Sequence, residues 1–210
     1  MLQGLHDIQA LMWDLPTGFE VFHQQSSDRQ LERLAFFYKD SLDLFCHSPE
    51  VLLIDATYKV NCFNFPMVNI ISSTSCNDTL YIGGAFIKED TESFAWLLQH
   101  IRTIYWEHLA LDFPVTVVTD ADKAAIQAIQ EVMLDTNHVL CIWHVKWAIA
   151  AWIQKNLHHR LLQDLDNTMQ DAKRKMEEIW GVMEPKIEQI LNTHTTAEYN
   201  DHWAAFQLKH

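Results

Sequence analysis

Two short apolar stretches of this 210-residue chain run into an aspartate: VLLID at residues 51–55 and VTVVTD at residues 115–120. A run of β-branched and other apolar residues bounded by polar residues predicts a buried strand. Asp55 and Asp120 are therefore expected at the mouths of two strands, held rigidly by the sheet and still open to solvent. If the two strands are neighbours, these carboxylates would form a site for a divalent metal ion.

The residues around these stretches predict further strands and helices. Strands are expected at residues 51–58, 67–73, 80–86, 115–119 and 139–142. The first three are separated only by short turn-like segments, including residues 61–66, which predicts an antiparallel meander. A helix capped by Thr91 or Ser93 follows the meander, and a helix capped by Asp122 separates the last two strands.

This order of elements indicates the fold. Three strands, a helix, a strand, a helix and a strand fit a mixed five-stranded sheet flanked by helices, with ribonuclease-H-like topology in the α/β class. In that topology the first strand lies beside the fourth. Asp55 and Asp120 are therefore predicted to be neighbours.

Four segments are expected along the chain. Residues 1–48 are predicted to form a helical lead-in, with a helix from Asp28 to Phe45, and residues 49–145 the ribonuclease-H-like core. Residues 146–194 are predicted to be an all-helical insertion, interrupted near Gly181 and Pro185. Residues 195–210 are expected to supply the last helix of the core.

Composition favours a soluble intracellular protein. The chain is 49% hydrophobic and 20% charged, enough for one sizeable core. No run approaches the roughly 20 apolar residues that span a bilayer, and residues 1–7 do not resemble a signal peptide. The cysteines, which are Cys46, Cys62, Cys76 and Cys141, form no CxxC pair, so a reducing compartment is expected.

The formal net charge of −13 argues against a free-standing nucleic-acid binder, because Lys and Arg contacts to phosphate supply most of the affinity of such proteins. The charge is uneven, since residues 143–175 contain six basic and three acidic residues. That segment is either a surface for a polyanion or, more simply, a solvated helix face.

Adjacent carboxylates favour a bound cation. Two of them about 4 Å apart repel by roughly 4 kcal/mol at an effective dielectric constant near 20. Mg²⁺ relieves such repulsion well, because it takes one or two carboxylates, keeps several waters and binds substrate phosphates. Two such ions would stabilise both the attacking and the leaving oxygen of a displacement at phosphorus.

A CxxH motif, Cys141 to His144, follows the fifth predicted strand. Cysteine and histidine at this spacing are able to share Zn²⁺, yet the motif supplies only two ligands and no partner pair stands out. We therefore do not expect zinc here. The simpler interpretation is a buried Cys141 with His144 hydrogen-bonded at the edge of the site.

Four motifs resemble those of Mutator-like element (MULE) transposases: LLIDATYKVN at residues 52–61 with Pro66, Glu89 with SFAW at residues 93–96, VTDAD at residues 118–122 with Ala124, and HVLCIWHV at residues 138–145. The plant far-red-response transcription factors, domesticated from such transposases, share the pattern. The chain departs from the family at Val60, where threonine is more usual, and at Trp147, where asparagine is common.

The resemblance implies a DDE-type transposase core that uses Mg²⁺ or Mn²⁺ to cleave and transfer DNA strands. Asp55 and Asp120 would be the first two metal-binding acids. The third acid of the family is a glutamate beyond a helical insertion, and Glu198 in TAEYNDHW at residues 196–203 fits best, with Asp201 as a rival. Glu198 as a plain surface residue, or a third acid beyond His210, are the alternatives.

The resemblance also implies a nuclear protein that acts on element ends and target DNA, with homo-oligomers possible and no membrane role. The sequence has neither an N-terminal zinc-binding DNA domain nor a C-terminal Cys/His cluster. We therefore expect a truncated copy, a fragment, or a core that borrows its DNA binding. A catalytically inactive regulatory or interaction module is the alternative function, and a ribonuclease-H-type RNA hydrolase fits the fold alone.

Overall fold

A computed structural model describes residues 18–57, 66–74, 76, 78–110, 113–163 and 169–207. Most of the turn predicted at residues 61–66, the motif residues 58–61 and Cys62 lie outside this part of the chain, as do residues 1–17 of the expected lead-in and the last three residues. The chain divides into two units, one up to Leu140 and one from Cys141 onward.

The first unit is built on a sheet. Its described elements are β1 (Phe19–Gln25), β2 (Leu31–Tyr38), α1 (Lys39–Phe45), β3 (Val51–Thr57), β4 (Met67–Ser73), β5 (Thr79–Phe86), α2 (Thr91–Leu109), β6 (Thr116–Thr119), α3 (Lys123–Val132) and β7 (Asn137–Leu140). The second unit is helical, with α4 (Ile142–Gln163), α5 (Met169–Leu191) and α6 (Thr196–Gln207).

The strand order confirms the predicted fold class. The seven strands lie in the order β1-β2-β5-β4-β3-β6-β7, in one sheet. β3, β4 and β5 pair antiparallel, whereas β6 pairs parallel with β3 and β7 parallel with β6. The last five strands along the chain therefore have the ribonuclease-H-like order, with the first of them beside the fourth.

The sheet has two more strands than predicted, β1 and β2, and the helix expected from Asp28 to Phe45 is wrong over β2. Helical spacing of apolar residues suggested that helix, but β2 is covered on both faces. Leu34 packs in a small cluster with Phe86, whereas Ala35 and Phe37 join the main core. A strand buried on both faces loses its alternating pattern, and pairing with β1 and β5 then decides its structure. The described part of the expected helical lead-in thus belongs largely to the sheet.

Helices α2 and α3 cover one face of the sheet. Their apolar side chains form one core with those of the strands: Leu52, Ile54, Val68, Ile70, Ile82, Phe94, Leu97, Leu98, Ile101, Ile104, Tyr105, Ala125, Ala128 and Ile129. Burying one Leu or Ile side chain contributes about 1.5–3 kcal/mol. Tyr105 also donates its hydroxyl to the carbonyl of Pro49 at 2.9 Å, which fixes the chain just before β3.

Aspartates cap both helices. Asp122 caps α3 as predicted, accepting a hydrogen bond from the Ala125 amide at 2.8 Å. Helix α2 is capped by Asp90 instead of the expected Thr91 or Ser93, and its carboxylate accepts from the Ser93 amide at 2.7 Å. The extended backbone of Asp90 places its short carboxylate over that amide, as an N-cap requires.

The helical unit is held by both apolar and ionic contacts. Ile153 of α4 and Ile187 of α5 are buried, and Lys146 of α4 binds Glu188 and Glu184 of α5 at 2.6 and 3.1 Å. The interruption expected near Gly181 and Pro185 is wrong, since α5 continues through both. No helix among the described residues has the length and apolarity needed to cross a membrane.

Candidate active site

Asp55 lies inside β3, two residues before its end, within the strand predicted at residues 51–58. Its neighbours Leu52 and Ile54 are buried under the helices. Because side chains alternate along a strand, Asp55 points to the opposite face of the sheet. There it is half-buried, its Oδ1 atom is buried, and it lies directly across from Asn69 of β4.

Asp120 is the first residue after β6, as predicted. Its side chain is half-buried, and its Oδ1 atom accepts a hydrogen bond from the Asp122 amide at 3.1 Å. Asp122 in turn caps α3, so the turn that holds Asp120 also begins that helix. The carboxylate is thereby oriented by backbone groups of its own turn.

The parallel register of β3 and β6 brings the two aspartates side by side. Leu53 pairs with Val118 and Ile54 with Thr119, so the next step places Asp55 beside Asp120. Adjacent strands lie about 4.8 Å apart. The prediction that these residues are neighbours, made from strand order alone, is therefore confirmed, while their role as metal ligands stays a prediction.

A polar network surrounds Asp55 on its face of the sheet. Asn69 donates from Nδ2 to Thr57 Oγ1 at 2.9 Å and accepts from the Tyr81 hydroxyl at 3.4 Å. Burial, and then the nearby Tyr38, raises the pKa of Tyr81, so that the hydroxyl stays a donor. One usable signal for this network was present in the sequence: Asn69, an asparagine among the apolar residues Met67, Val68, Ile70 and Ile71 of β4.

A second network lies behind Asp120, on the core side of the sheet. Thr119 Oγ1 is 2.7 Å from the Asp120 carbonyl oxygen and 2.8 Å from Nε2 of His138. Burial lowers the pKa of His138, so its neutral form is favoured. Neither Thr119 nor His138 was singled out from the sequence, because their contact depends on the pairing of β6 with β7.

Glu198 lies in the second unit, in the first turn of α6. Its Oε2 atom accepts from the amides of His194 and Thr195 at 3.0 and 3.2 Å, and Thr195 Oγ1 accepts from the Glu198 amide at 3.2 Å. This reciprocal pattern is a capping box. The His194 amide, followed by that of Thr195, lowers the pKa of Glu198. The structure thus shows a helix-capping role for Glu198 and does not test its predicted role as third acid; Asp201 is exposed on the same helix.

The CxxH motif spans the start of the helical unit. Cys141 is a free thiol, and its carbonyl accepts the Val145 amide at 3.0 Å, in the first turn of α4. The ring of His144, whose Nδ1 atom is buried, packs edge-on against Trp143 at a centroid distance of 4.8 Å. These contacts fit a motif that starts a helix.

One other group of potential metal ligands was missed by the sequence analysis. Among the described residues, only Glu20, Glu107 and His108 place three such atoms within 4.8 Å of one another. His108 Nε2 lies 3.3 Å from Glu20 Oε2, in the last turn of α2. This contact joins β1 to α2 without a metal ion.

Known proteins match the part of the chain that contains Asp55 and Asp120. Residues 51–148 match the MULE transposase domain. The resemblance to Mutator-like transposases is thereby confirmed for that stretch, which contains both aspartates and the CxxH motif. Glu198 lies outside it.

Curated relatives of the chain are much longer proteins. Protein FAR1-RELATED SEQUENCE 2 of Arabidopsis thaliana is 27% identical over 64% of this chain and 16% of its own length. Protein FAR-RED IMPAIRED RESPONSE 1 of the same plant is 24% identical over 57% of this chain and 14% of its own length. PKS-NRPS hybrid synthetase cheA of Chaetomium globosum is 24% identical over 80% of this chain and 4% of its own length. The chain therefore spans less than a fifth of each of these relatives.

Among solved structures, the HTLV-2 integrase catalytic core domain in complex with magnesium is similar in its dimeric form. It is 20% identical, covers 62% of this chain and 83% of its own, and has a TM-score of 0.28. Its trimeric form covers 71% of this chain and 90% of its own at the same TM-score of 0.28. It is the strand order of the sheet that shows the ribonuclease-H-like fold.

Proposed function

We propose that this chain is the catalytic part of a DDE-type transposase, which cleaves DNA strands and transfers their ends with Mg²⁺ or Mn²⁺. The observation that carries the proposal is the β3–β6 register, which sets Asp55 beside Asp120. That pair lies within the residues that match the MULE transposase domain.

The donor set around the pair fits a hard divalent cation. Asp55 and Asp120 offer carboxylate oxygens from one face of the sheet, and Mg²⁺ is commonly held by one or two carboxylates together with waters and substrate phosphates. Bound there, the ion would supply activation of a water or hydroxyl and stabilisation of charge at phosphorus. The chain's own part is to hold both carboxylates in place, through the β3 ladder for Asp55 and the Asp122 amide for Asp120.

Glu198 is our candidate for the third acid, with Asp201 as the weaker rival. The lowered pKa of Glu198 keeps its carboxylate ionised, as a metal ligand must be. Both capping bonds go to Oε2, so Oε1 takes no part in the capping box. Thr195 fixes the backbone at this position by accepting the Glu198 amide.

We further propose that the substrate is DNA, both element ends and target, that the protein acts in the nucleus, and that it is able to form homo-oligomers. The net charge of −13 opposes binding to a polyanion. Most of the affinity for DNA would then come from additional domains of a longer protein, in keeping with the greater length of the relatives.

Mn²⁺ titration by calorimetry tests the proposal, with nicking of supercoiled plasmid DNA as a second readout. We expect the wild-type chain to bind Mn²⁺ and both Asp55→Asn and Asp120→Asn to bind it more than about 100-fold more weakly, beyond the loss typical of outer-shell partners. Asp122→Asn is the matched control, since asparagine caps a helix as well as aspartate does. Unchanged binding in the Asp55/Asp120 double variant would contradict the proposal.

A non-catalytic, transposase-derived regulatory or interaction module is the second candidate. It is favoured by the capping box of Glu198, which gives this residue a purpose without metal, and by the acidic charge. A wild-type chain that is folded and binds no Mn²⁺ would favour this candidate over the enzyme.

A further inference from the structure

We propose that Thr119 and His138 are positioning residues for Asp120, which they hold through its backbone carbonyl. The inference rests on the proposed function, because it assigns these residues a part in preparing the metal site. Neither residue contacts the face of the sheet where the ion would lie. They act from the core side, through the residue that carries the carboxylate.

The direction of the hydrogen bonds follows from simple chemistry. The carbonyl oxygen of Asp120 only accepts, so at 2.7 Å the single hydroxyl hydrogen of Thr119 must point to it. The Thr119 oxygen is then an acceptor for the contact of 2.8 Å with His138. Nε2 of His138 must therefore carry a hydrogen, which fixes the neutral ring as the Nε2–H tautomer.

The hydrogen bonds that run from His138 through Thr119 to the Asp120 carbonyl form a relay. Burial of Thr119 makes this relay a specific feature of the site. Thr119 is 2% exposed, and β-branched apolar residues fill comparable strand positions, as Val117 does. A buried hydroxyl is favourable only when its hydrogen bonds are satisfied. His138 is able to satisfy it because β7 pairs with β6 in a register that sets His138 opposite Val117, two residues before Thr119 and on the same face.

The relay and the turn hold Asp120 from two sides. Thr119 fixes its backbone carbonyl, while the Asp122 amide fixes its Oδ1 atom at 3.1 Å. A metal ligand must be held within about 0.5 Å of its productive position, and partners behind the ligands typically supply that precision. The relay would therefore lower the cost of bringing Asp120 to the ion.

The test is Mn²⁺ affinity in two matched pairs of variants. Thr119→Val is nearly isosteric and loses the hydroxyl, whereas Thr119→Ser keeps it. His138→Leu loses the donor, whereas His138→Gln keeps a side-chain N–H. We expect Thr119→Val and His138→Leu to weaken Mn²⁺ binding by about 10- to 100-fold, and Thr119→Ser and His138→Gln to stay close to the wild type. The His138 pair decides the question if Thr119→Val does not fold.

Ser72→Ala is the control for a purely structural effect. Ser72 is also a buried strand residue, and its hydroxyl donates to the carbonyl of Val51 at 2.9 Å. Its loss should lower the urea midpoint without changing Mn²⁺ affinity. The inference is overturned if Thr119→Val and His138→Leu bind Mn²⁺ like the wild type while Asp120→Asn does not. If Asp120→Asn binds like the wild type, or the wild type does not bind, it is the proposed function that fails.

Discussion

The sheet and the helical unit hold their candidate acids in different ways. Asp55 and Asp120 come from distant parts of the chain and are placed by the pairing of β3 with β6. Glu198 is placed by neighbours within four residues, through the capping box of α6. A residue placed by strand pairing depends on the hydrogen bonds along both strands. A residue placed by a cap depends only on the hydrogen bonds of one helical turn.

These two modes of placement make the candidate acids vulnerable in different ways. Moving Asp120 away from Asp55 requires breaking hydrogen bonds that also support the core, so the pair is as stable as the sheet. The first turn of a helix frays with little cost to the rest of the molecule. Moving Glu198 out of its capping box therefore costs less free energy than moving Asp55 or Asp120 out of place.

A glycine-to-alanine substitution should separate the two units most strongly. A Cβ at Gly83 of β5 would lie 2.2 Å from the backbone oxygen of Phe36 on β2, so Gly83→Ala should cost about 3 kcal/mol or more by forcing the strands apart. At Gly181 of α5 nothing lies within 4 Å, and Gly181→Ala should stabilise the helix by about 0.5–1 kcal/mol.

Urea unfolding together with hydrogen exchange measures both variants. Exchange should accelerate in β2 and β5 for Gly83→Ala and slow in α5 for Gly181→Ala. If both variants were destabilised, or both were stabilised, the contrast between a crowded sheet and an open helix face would be contradicted.

The next effect separates the two roles of Glu198. Glutamine also fits the capping box, so Glu198→Gln should retain α6 while removing the charge. If Glu198 is the third acid, DNA nicking should fall at least about 100-fold, as for loss of other groups that stabilise transition-state charge. Circular dichroism should show unchanged helix content, and Asp201→Asn should nick normally. If Glu198→Gln nicks DNA at the wild-type rate, Glu198 is a helix-capping residue and not the third acid.

The smallest effect is a pH dependence that originates in the sheet unit. His100 of α2 stacks on Phe22 at 4.3 Å and packs edge-on against Trp96 at 4.5 Å, and burial lowers its pKa. As pH falls below about 6.5, the unfolded chain gains a proton that folded His100 resists, so the free energy of unfolding falls until the folded pKa is passed. At pH 7 and above this loss is absent.

His100→Phe keeps the ring contacts and removes the titrating group. We expect its stability to fall less than that of the wild type between pH 7 and pH 5, as measured by urea unfolding. His138, whose pKa burial also lowers, contributes to the dependence that remains. Identical losses in the two proteins would show that His100 takes up its proton equally in both states.

Local signals in the sequence predicted most of the elements near the site. The strand at residues 67–73 was predicted with its observed bounds, and Asp122 as the cap of α3. β7 begins and ends two residues earlier than predicted, because α4 starts within the same apolar run. Leu31–Tyr38 was missed because a strand covered on both faces shows no alternation.

The aspartate pair was predictable because strand order alone makes β3 and β6 neighbours. The supporting residues were not, since their partners are chosen by register. Asn69 lies across from Asp55, and His138 reaches Thr119, only because particular residues pair between strands. Glu198 was selected by resemblance, and its capping bonds to His194 and Thr195 emerge only from the geometry of the turn.

The parallel register of β3 and β6 has a consequence for how the sequence of such a domain evolves in a lineage without transposition. The hydrogen bonds that set Asp55 beside Asp120 are the ones that keep the sheet intact, so selection for a stable protein alone preserves the spacing. Selection for stability alone does not preserve the chemical identity of the two side chains, so these are free to be substituted. In a lineage without transposition, aspartates should be replaced by asparagine, serine or alanine on an unchanged backbone, and retention of both acids across many copies would be a record of continued cutting.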